Sequence, residues 1–320
     1  MTAEQPPREI APGVVLVDTG YVRPGCAAAY LVLGRETAAV VETGTALSAP
    51  RILSALAARG IAREGVGFVI VTHVHLDHAG GAGALLRELP RAKLVAHPRG
   101  APHLVDPSKL VAGAAEVYGG LEALTRLYGH IVPAPAERVV EAPDGFSLDL
   151  GGRRLDFLDA PGHARHHFVV HDPSTRGFFT GDTFGLSYRE FDGPGGPFLF
   201  PTTTPVQLDP PALHASIDRM LSERPERMYL THFGMIEGRI DRAAAMLHRA
   251  VEEHVRLALA APSGPGRHEA LREALAGQLL AGLAAHGFAG GRGQALSIFA
   301  VDLDLNAQGL GVWLDSRARA

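Results

Sequence analysis

The chain has 320 residues, 46% of them hydrophobic, which is enough to bury a large core in one or two domains. Lys plus Arg number 30 against 34 Asp plus Glu, a net charge of −4, and no long basic run is present to meet phosphates, so a nucleic-acid partner is not expected. No apolar stretch approaches the roughly 20 residues of a membrane helix, the start "MTAEQPPREIAPG" lacks signal-peptide character, and Cys26 has no cysteine to pair with; together these suggest a cytoplasmic protein with no membrane association.

In chain order, "GVVLVDTG", "AAAYLVLG" and "AAVVETG" read as short strands ending in turn residues. "LSAPRILSALAARG" reads as a helix: Ser48 can cap it, Pro50 lies in its first turn, Ile52, Leu53 and Leu56 share a face, and Gly60 follows its end. "VGFVIVTH" is a buried strand, "AGALLRELP" a short helix and "AKLVAHP" another strand. Residues 98–135 turn helical. "FSLDLGGRRLDFLDAPGH" and "HHFVVHDPSTRGFFTGD" are hairpin-like, and "REFDGPGGPFLFPTTTP" has the composition of a surface loop. "PPALHASIDRMLSERP" predicts a helix and "RMYLTHFG" a strand. Helical spacing then dominates from Ile240 onward, including the ambiguous tail from Leu296 to Leu314, which we read as helix.

Histidine is the informative excess, with 16 in the chain. In "VTHVHLDHAGG", His73 and His75 are two residues apart, so on extended backbone they point to one face and can grip one ion. Asp77 and His78 follow where a turn should begin and can aim at a second point nearby. Imidazole with carboxylate suits zinc, iron or manganese, and the lack of nearby cysteine argues against a purely structural zinc site. Gly80 and Gly81 let the backbone pass close to such a site. Further candidates lie at strand-to-loop junctions: His163 in "DAPGHARHH", Asp182 in "FFTGDTF" and His232 in "MYLTHFG". Asp182 is able to lie between two metals.

This ordered pattern resembles the metallo-β-lactamase fold superfamily, in its glyoxalase II-like branch, over roughly Gly13 to Gly238. The resemblance implies an α/β fold, a four-layer αββα sandwich, here with a helical C-terminal extension: a domain over residues 1–239 carrying the helical insertion near 98–135, then helices over 240–320. It implies His73, His75 and His163 on a first metal, Asp77, His78 and His232 on a second, and Asp182 bridging. Two divalent ions, zinc first with iron or manganese as alternatives, would activate a water and polarise a carbonyl. The expected activity is dinuclear metal-dependent hydrolysis of an ester, thioester or lactone by metal-bound hydroxide, with Asp77 also able to accept a proton from the water. His167 matches a packed, hydrogen-bonded histidine of the family; His97, His103 and His171 are left as structural or surface residues.

Three departures matter. Glu42-Thr43-Gly44 stands where the family often has Asp-Thr-Gly, which alters the support behind the ligands. His75 stands where the di-iron, oxygen-binding branch usually has glutamate, favouring hydrolysis. Gly185 stands where quorum-signal lactonases carry tyrosine, so nothing marks out a lactone. The alternatives kept open are a mononuclear iron oxidoreductase resembling persulfide dioxygenases, with His73, His163 and Asp182 on the iron, and a metal-bearing ligand-binding module without turnover. A small-molecule substrate would meet the insertion, the glycine-rich loop or the C-terminal helices, where Phe184, Tyr188, Phe198 and Phe200 either wall the pocket or pin the loop to the core. The apolar C-terminal helices suit a homodimer contact as well as a domain cover.

Overall fold

The computed structural model describes residues 6–318; the start Met1–Gln5, part of the stretch read above as lacking a signal, lies outside the described residues. The described chain forms two compact units. The first comprises the chain up to Asp159 with His166–Gly181 and Pro225–Met235; the second comprises Ala160–Arg165, Asp182–Arg224 and the chain from Ile236 on.

In the first unit, seven strands lie side by side in chain order: β1 (Arg8–Ala11), β2 (Val14–Asp18), β3 (Ala28–Leu33), β4 (Ala38–Val41), β5 (Val66–Ile70), β6 (Lys93–Ala96) and β7 (Val139–Glu141). The first four pair antiparallel, whereas β4 to β7 pair in parallel. Parallel neighbours need long crossovers. Helix α1 (Ala49–Ala58) supplies the first, α2 (Leu76–Ala79) and α3 (Ala82–Glu88) the second, and α4 (Ala101–Val105), α5 (Ser108–Val117) and α6 (Leu121–Tyr128) the third.

Strand periodicity divides this sheet's side chains between two faces. Val15, Val17, Leu31 and Val40 pack with Ile52, Leu56, Leu85 and Leu86 of the helices. Tyr30 points the other way, onto a second sheet, where its hydroxyl donates to the Leu230 carbonyl and its ring meets Phe179 at 5.3 Å. That sheet is built from β8 (Ser147–Asp149), β9 (Arg154–Asp159), β10 (Phe168–Asp172), β11 (Gly177–Gly181), β12 (Arg227–Leu230) and β13 (Gly234–Glu237), in the order β13-β12-β11-β10-β9-β8. The two hairpins and the helical 98–135 segment form as the sequence predicts.

The second unit carries α7 (Pro210–Ser222), α8 (Ile240–Ala260), α9 (Arg267–Ala285), α10 (Arg292–Ile298) and α11 (Ala300–Arg317). The α/β architecture of two mixed sheets with C-terminal helices is thus the one expected, and the ambiguous tail is helical. One expectation is overturned. The "FLFPTTTP" part of the glycine-rich segment is buried, not a surface loop: Phe198, Leu199, Phe200, Thr202 and Thr203 are almost wholly enclosed. Asn306 of α11 accepts a hydrogen bond from Thr203 N at 2.6 Å and donates to the Pro201 carbonyl at 2.9 Å. Gly309 permits this contact, because a Cβ there would lie 1.6 Å from the Thr203 carbonyl oxygen. Irregular backbone is buried here because a polar side chain satisfies it. No helix among the described residues is long and apolar enough to cross a membrane.

Candidate metal centre

The β5 strand delivers the chain to Thr72, after which the backbone turns through His73 and His75 and enters the one-turn helix α2 carrying Asp77 and His78. This turn is tight against the loop after β4. Gly81 has an ordinary φ, yet a Cβ on it would lie 2.7 Å from the Thr43 carbonyl oxygen and 2.8 Å from that of Thr45. Close approach, rather than a left-handed φ, is what demands glycine there.

Five of the seven predicted ligands lie in the first unit. Asp77, His78 and His232 each offer a ligand atom, and these atoms lie within 4.8 Å of one another. Asp77 Oδ2 is 3.3 Å from His232 Nε2 and 3.6 Å from His78 Nε2. His73 Nε2 is 2.9 Å from His75 Nδ1. The other two form a pair of their own in the second unit, with His163 Nε2 3.3 Å from Asp182 Oδ2. Their points of attachment are in the first unit: His163 sits in the loop joining β9 to β10, and Asp182 directly follows β11. At that attachment, Phe168 N donates to the Thr72 carbonyl at 3.0 Å, and a Cβ on Gly181 would lie 2.4 Å from Thr72 Oγ1.

Four of these histidines are anchored through Nδ1. His78 Nδ1 meets Glu42 Oε1 at 3.1 Å, and His232 Nδ1 meets the Cys26 carbonyl at 2.9 Å. His163 Nδ1 lies 3.3 Å from the Thr202 carbonyl, and His73 Nδ1 lies 3.1 Å from Thr72 Oγ1, whose hydroxyl donates to Glu42 Oε1 at 2.5 Å. With Nδ1–H committed, each ring turns its Nε2 lone pair toward a carboxylate or another imidazole. That is the tautomer a metal ligand requires, and the outer partner that fixes it is what metal-binding histidines normally carry. The donor set therefore fits divalent metal ions with nitrogen and oxygen preference.

Glu42 is the hub of this support. It directly follows β4, adopts φ +64, and its buried carboxylate accepts from Thr72, His78 and, at 3.2 Å, Thr231. A positive φ is uncommon for a residue with a side chain. Here it aims the carboxylate back under the site.

His167 is buried, with its ring stacked on His73 at 4.7 Å, in the packed role expected of it. His97, left as structural or surface, is buried and faces Asp159 at 3.2 Å; burial holds its pKa below the usual histidine value despite that carboxylate. His171 stacks on Phe178. The four aromatics take packed positions in the second unit. Tyr188 hydrogen-bonds Asp302 and its ring lies against Phe299, Phe198 meets His286, Phe200 meets His254 and Phe299, and Phe184 is fully enclosed.

A group that sequence reasoning missed is a chain of three phenols. Tyr21 and Tyr128 hydroxyls are 2.7 Å apart, and Tyr128 donates to Tyr118 at 2.7 Å. Burial first, then the charge of Asp77, pushes the Tyr21 and Tyr128 pKa values up, so both stay protonated. Residues 107 positions apart leave no local sequence signal for such a contact.

Comparison with known proteins follows the same lines. A profile described as the Metallo-beta-lactamase superfamily matches residues 22–232. The Metallo-beta-lactamase fold-containing protein ST1585 of Sulfurisphaera tokodaii is 27% identical over 227 residues, covering 68% of this chain and 76% of that one. Acyl-coenzyme A thioesterase MBLAC2 of Bos taurus is 30% identical over 174 residues, 48% of this chain and 56% of its own. A hydroxyacylglutathione hydrolase of Synechococcus sp. is 29% identical over 159 residues, 49% of this chain and 48% of its own. The match thus spans about half the length of each of these two enzymes. Among solved structures, the metallo-beta-lactamase family protein TTHA1429 of Thermus thermophilus superposes with a TM-score of 0.69 at 20% identity, covering 97% of this chain and 95% of that one, which is agreement in fold.

Proposed function

The chain belongs to the metallo-beta-lactamase superfamily, and from that membership we propose a metal-dependent hydrolase acting on an ester, thioester or lactone carbonyl. His73, His75 and His163 would hold one divalent ion and Asp77, His78 and His232 a second, with the Asp182 carboxylate as the ligand the two would share. Zinc suits this donor set best, with iron or manganese as substitutes. The observation that carries the proposal is the anchoring of His73, His78, His163 and His232 through Nδ1, which presents four Nε2 lone pairs before any ion arrives.

When bound, such ions lower the pKa of a water and polarise a substrate carbonyl. The chain's own contribution is positional. Glu42 holds His78 and Thr72, the Cys26 carbonyl holds His232, and Thr202 holds His163. Asp77 presents a carboxylate oxygen to His78 and His232, where it can also accept a proton from the attacking water. Within the substrate class we place thioesters first, because the similar proteins include an acyl-coenzyme A thioesterase and a hydroxyacylglutathione hydrolase. We further propose a cytoplasmic protein that acts on small molecules and engages neither nucleic acid nor membrane.

The test is metal counting joined to turnover. Protein purified without chelator is expected to carry close to two zinc, iron or manganese equivalents and to hydrolyse an acyl-coenzyme A or an S-acylglutathione. Asp182→Asn should lower both metal content and turnover. An Asp182→Asn protein with full metal and full turnover would remove the bridging role. One equivalent of iron with oxygen uptake on glutathione persulfide would replace hydrolysis by oxidation.

A further inference from the structure

Helices α7 and α8 pack against each other, and each carries two metal-ligand side chains spaced by four: His214 and Asp218 on α7, His248 and Glu252 on α8. That spacing puts both members of each pair on one helical face. The two histidines meet edge to edge across the helix contact, with ring centroids 4.8 Å apart, planes within 14° of parallel and Nδ1 atoms 2.5 Å apart. Asp218 Oδ1 lies 3.1 Å from His248 Nε2. These contacts assign the tautomers: His248 Nε2–H donates to Asp218, so His248 Nδ1 is a bare acceptor and His214 Nδ1–H donates to it.

We propose that this pair is an additional metal site, separate from the residues of the centre above, in which Zn2+, Ni2+ or Cu2+ takes the place of the proton shared by His214 Nδ1 and His248 Nδ1. The displaced proton moves to His214 Nε2, so the ring stays neutral and binding needs no net proton release. Two imidazole nitrogens on one tetrahedral ion at about 2.0–2.1 Å stand roughly 3.3 Å apart, so the pair opens by less than about 1 Å. Asp218 keeps its place on His248 Nε2–H, the carboxylate–histidine–metal arrangement that raises ligand basicity. Water completes the coordination, and the negative charge of Glu252, one turn after His248 and near enough to act on His214, favours a cation there. Burial and His248 together lower the His214 pKa, which keeps its ring neutral near pH 7. Imidazole-rich sites rank these ions above Mg2+ or Ca2+. The ion would clamp α7 to α8.

The experiment uses the full chain. Wild type and H214A/H248A are stripped, dialysed against the same free Zn2+, and counted for metal per chain. The double variant should hold one equivalent fewer. Cu2+ added to zinc-loaded wild type should give an electron paramagnetic resonance signal with coupling to two nitrogens, absent from the variant. Glu252→Gln alters an exposed side chain and is expected to keep the fold while weakening Zn2+ binding, because it removes a negative charge near the ion. Equal metal counts, with the same copper signal in both proteins, overturn the proposal. Loss of the hydrolytic centre is distinguishable, because Asp182→Asn would leave the copper signal in place.

Discussion

His78 Nδ1 lies 3.1 Å from Glu42 Oε1, deep inside the first unit. The same oxygen receives the Thr72 hydroxyl, and Thr72 in turn holds His73, so one glutamate sets the tautomer of two of the proposed ligands. Its extra methylene relative to aspartate extends the carboxylate toward Thr72, His78 and Thr231. Glu42→Ala should reduce metal affinity by about 10- to 100-fold. It should also cost about 1–3 kcal/mol, since buried donors lose their acceptor. Competition with a chromophoric chelator reads the first and urea unfolding of the metal-free protein the second. Unchanged affinity would mean that the ligands are oriented without Glu42.

Gly181 ends β11 at φ +49, and a methyl group there would sit 2.4 Å from Thr72 Oγ1 and 2.5 Å from His167 Nε2. Gly181→Ala therefore combines left-handed strain with a clash against two side chains that pack behind His73. We expect a loss of about 1–3 kcal/mol and a fall in metal occupancy, because the next residue is Asp182. Calorimetry of the metal-free protein separates the two effects. A variant as stable and as metal-rich as wild type would show that His167 and Thr72 can yield.

What was legible in the sequence follows from how few residue types a metal accepts. His73, His75, Asp77 and His78 are adjacent, so their chemistry shows in one line of text, and short apolar runs between glycines marked the strands flanking them. The support is another matter. Glu42 reaches His78 across 36 positions and Tyr21 reaches Tyr128 across 107, distances at which a single sequence holds no register information. The "FLFPTTTP" segment read as exposed because glycine, proline and threonine usually surround turns. Its burial depends on Asn306, 103 positions beyond Thr203, which satisfies backbone that composition alone assigns to water.

Arg153 should matter for stability and not for metal. Its guanidinium binds both carboxylate oxygens of the fully buried Asp172, while Nη1 donates to the carbonyls of Pro12, Gly13 and Leu33 at 3.1–3.2 Å. One side chain thus ties the second sheet to the turns of the first. Removing one partner of a buried pair strands the other charge, so Arg153→Ala should cost about 3–5 kcal/mol. The paired change Arg153→Ala with Asp172→Asn should cost less than the sum of Arg153→Ala and Asp172→Asn made singly. Guanidinium unfolding of the four proteins gives the coupling, and additive losses would mean that the pair contributes no interaction of its own.

His254 predicts how the second unit responds to acid. It lies on α8 with its ring edge-on to Phe200 at 5.0 Å, fully buried, and neither ring nitrogen has a hydrogen-bond partner among the described residues. Burial lowers its pKa to about 3, against roughly 6.5 for an unfolded histidine. Above pH 6.5 the ring is neutral in both states and contributes no pH dependence. As pH falls below 6.5 the unfolded chain takes up a proton that the folded chain refuses, so stability drops by up to about 1.4 kcal/mol per pH unit until pH nears 3. By pH 5 the accumulated loss from this residue is about 2 kcal/mol. His254→Leu fills the same site with an apolar group and removes that slope, while every other histidine is common to both proteins. Urea unfolding of metal-free wild type and variant at pH 7.5 and pH 5 should therefore show the variant gaining on wild type as pH falls. A stability difference that stays constant across that interval would mean that the His254 ring finds a proton, and water to hold it, inside the fold.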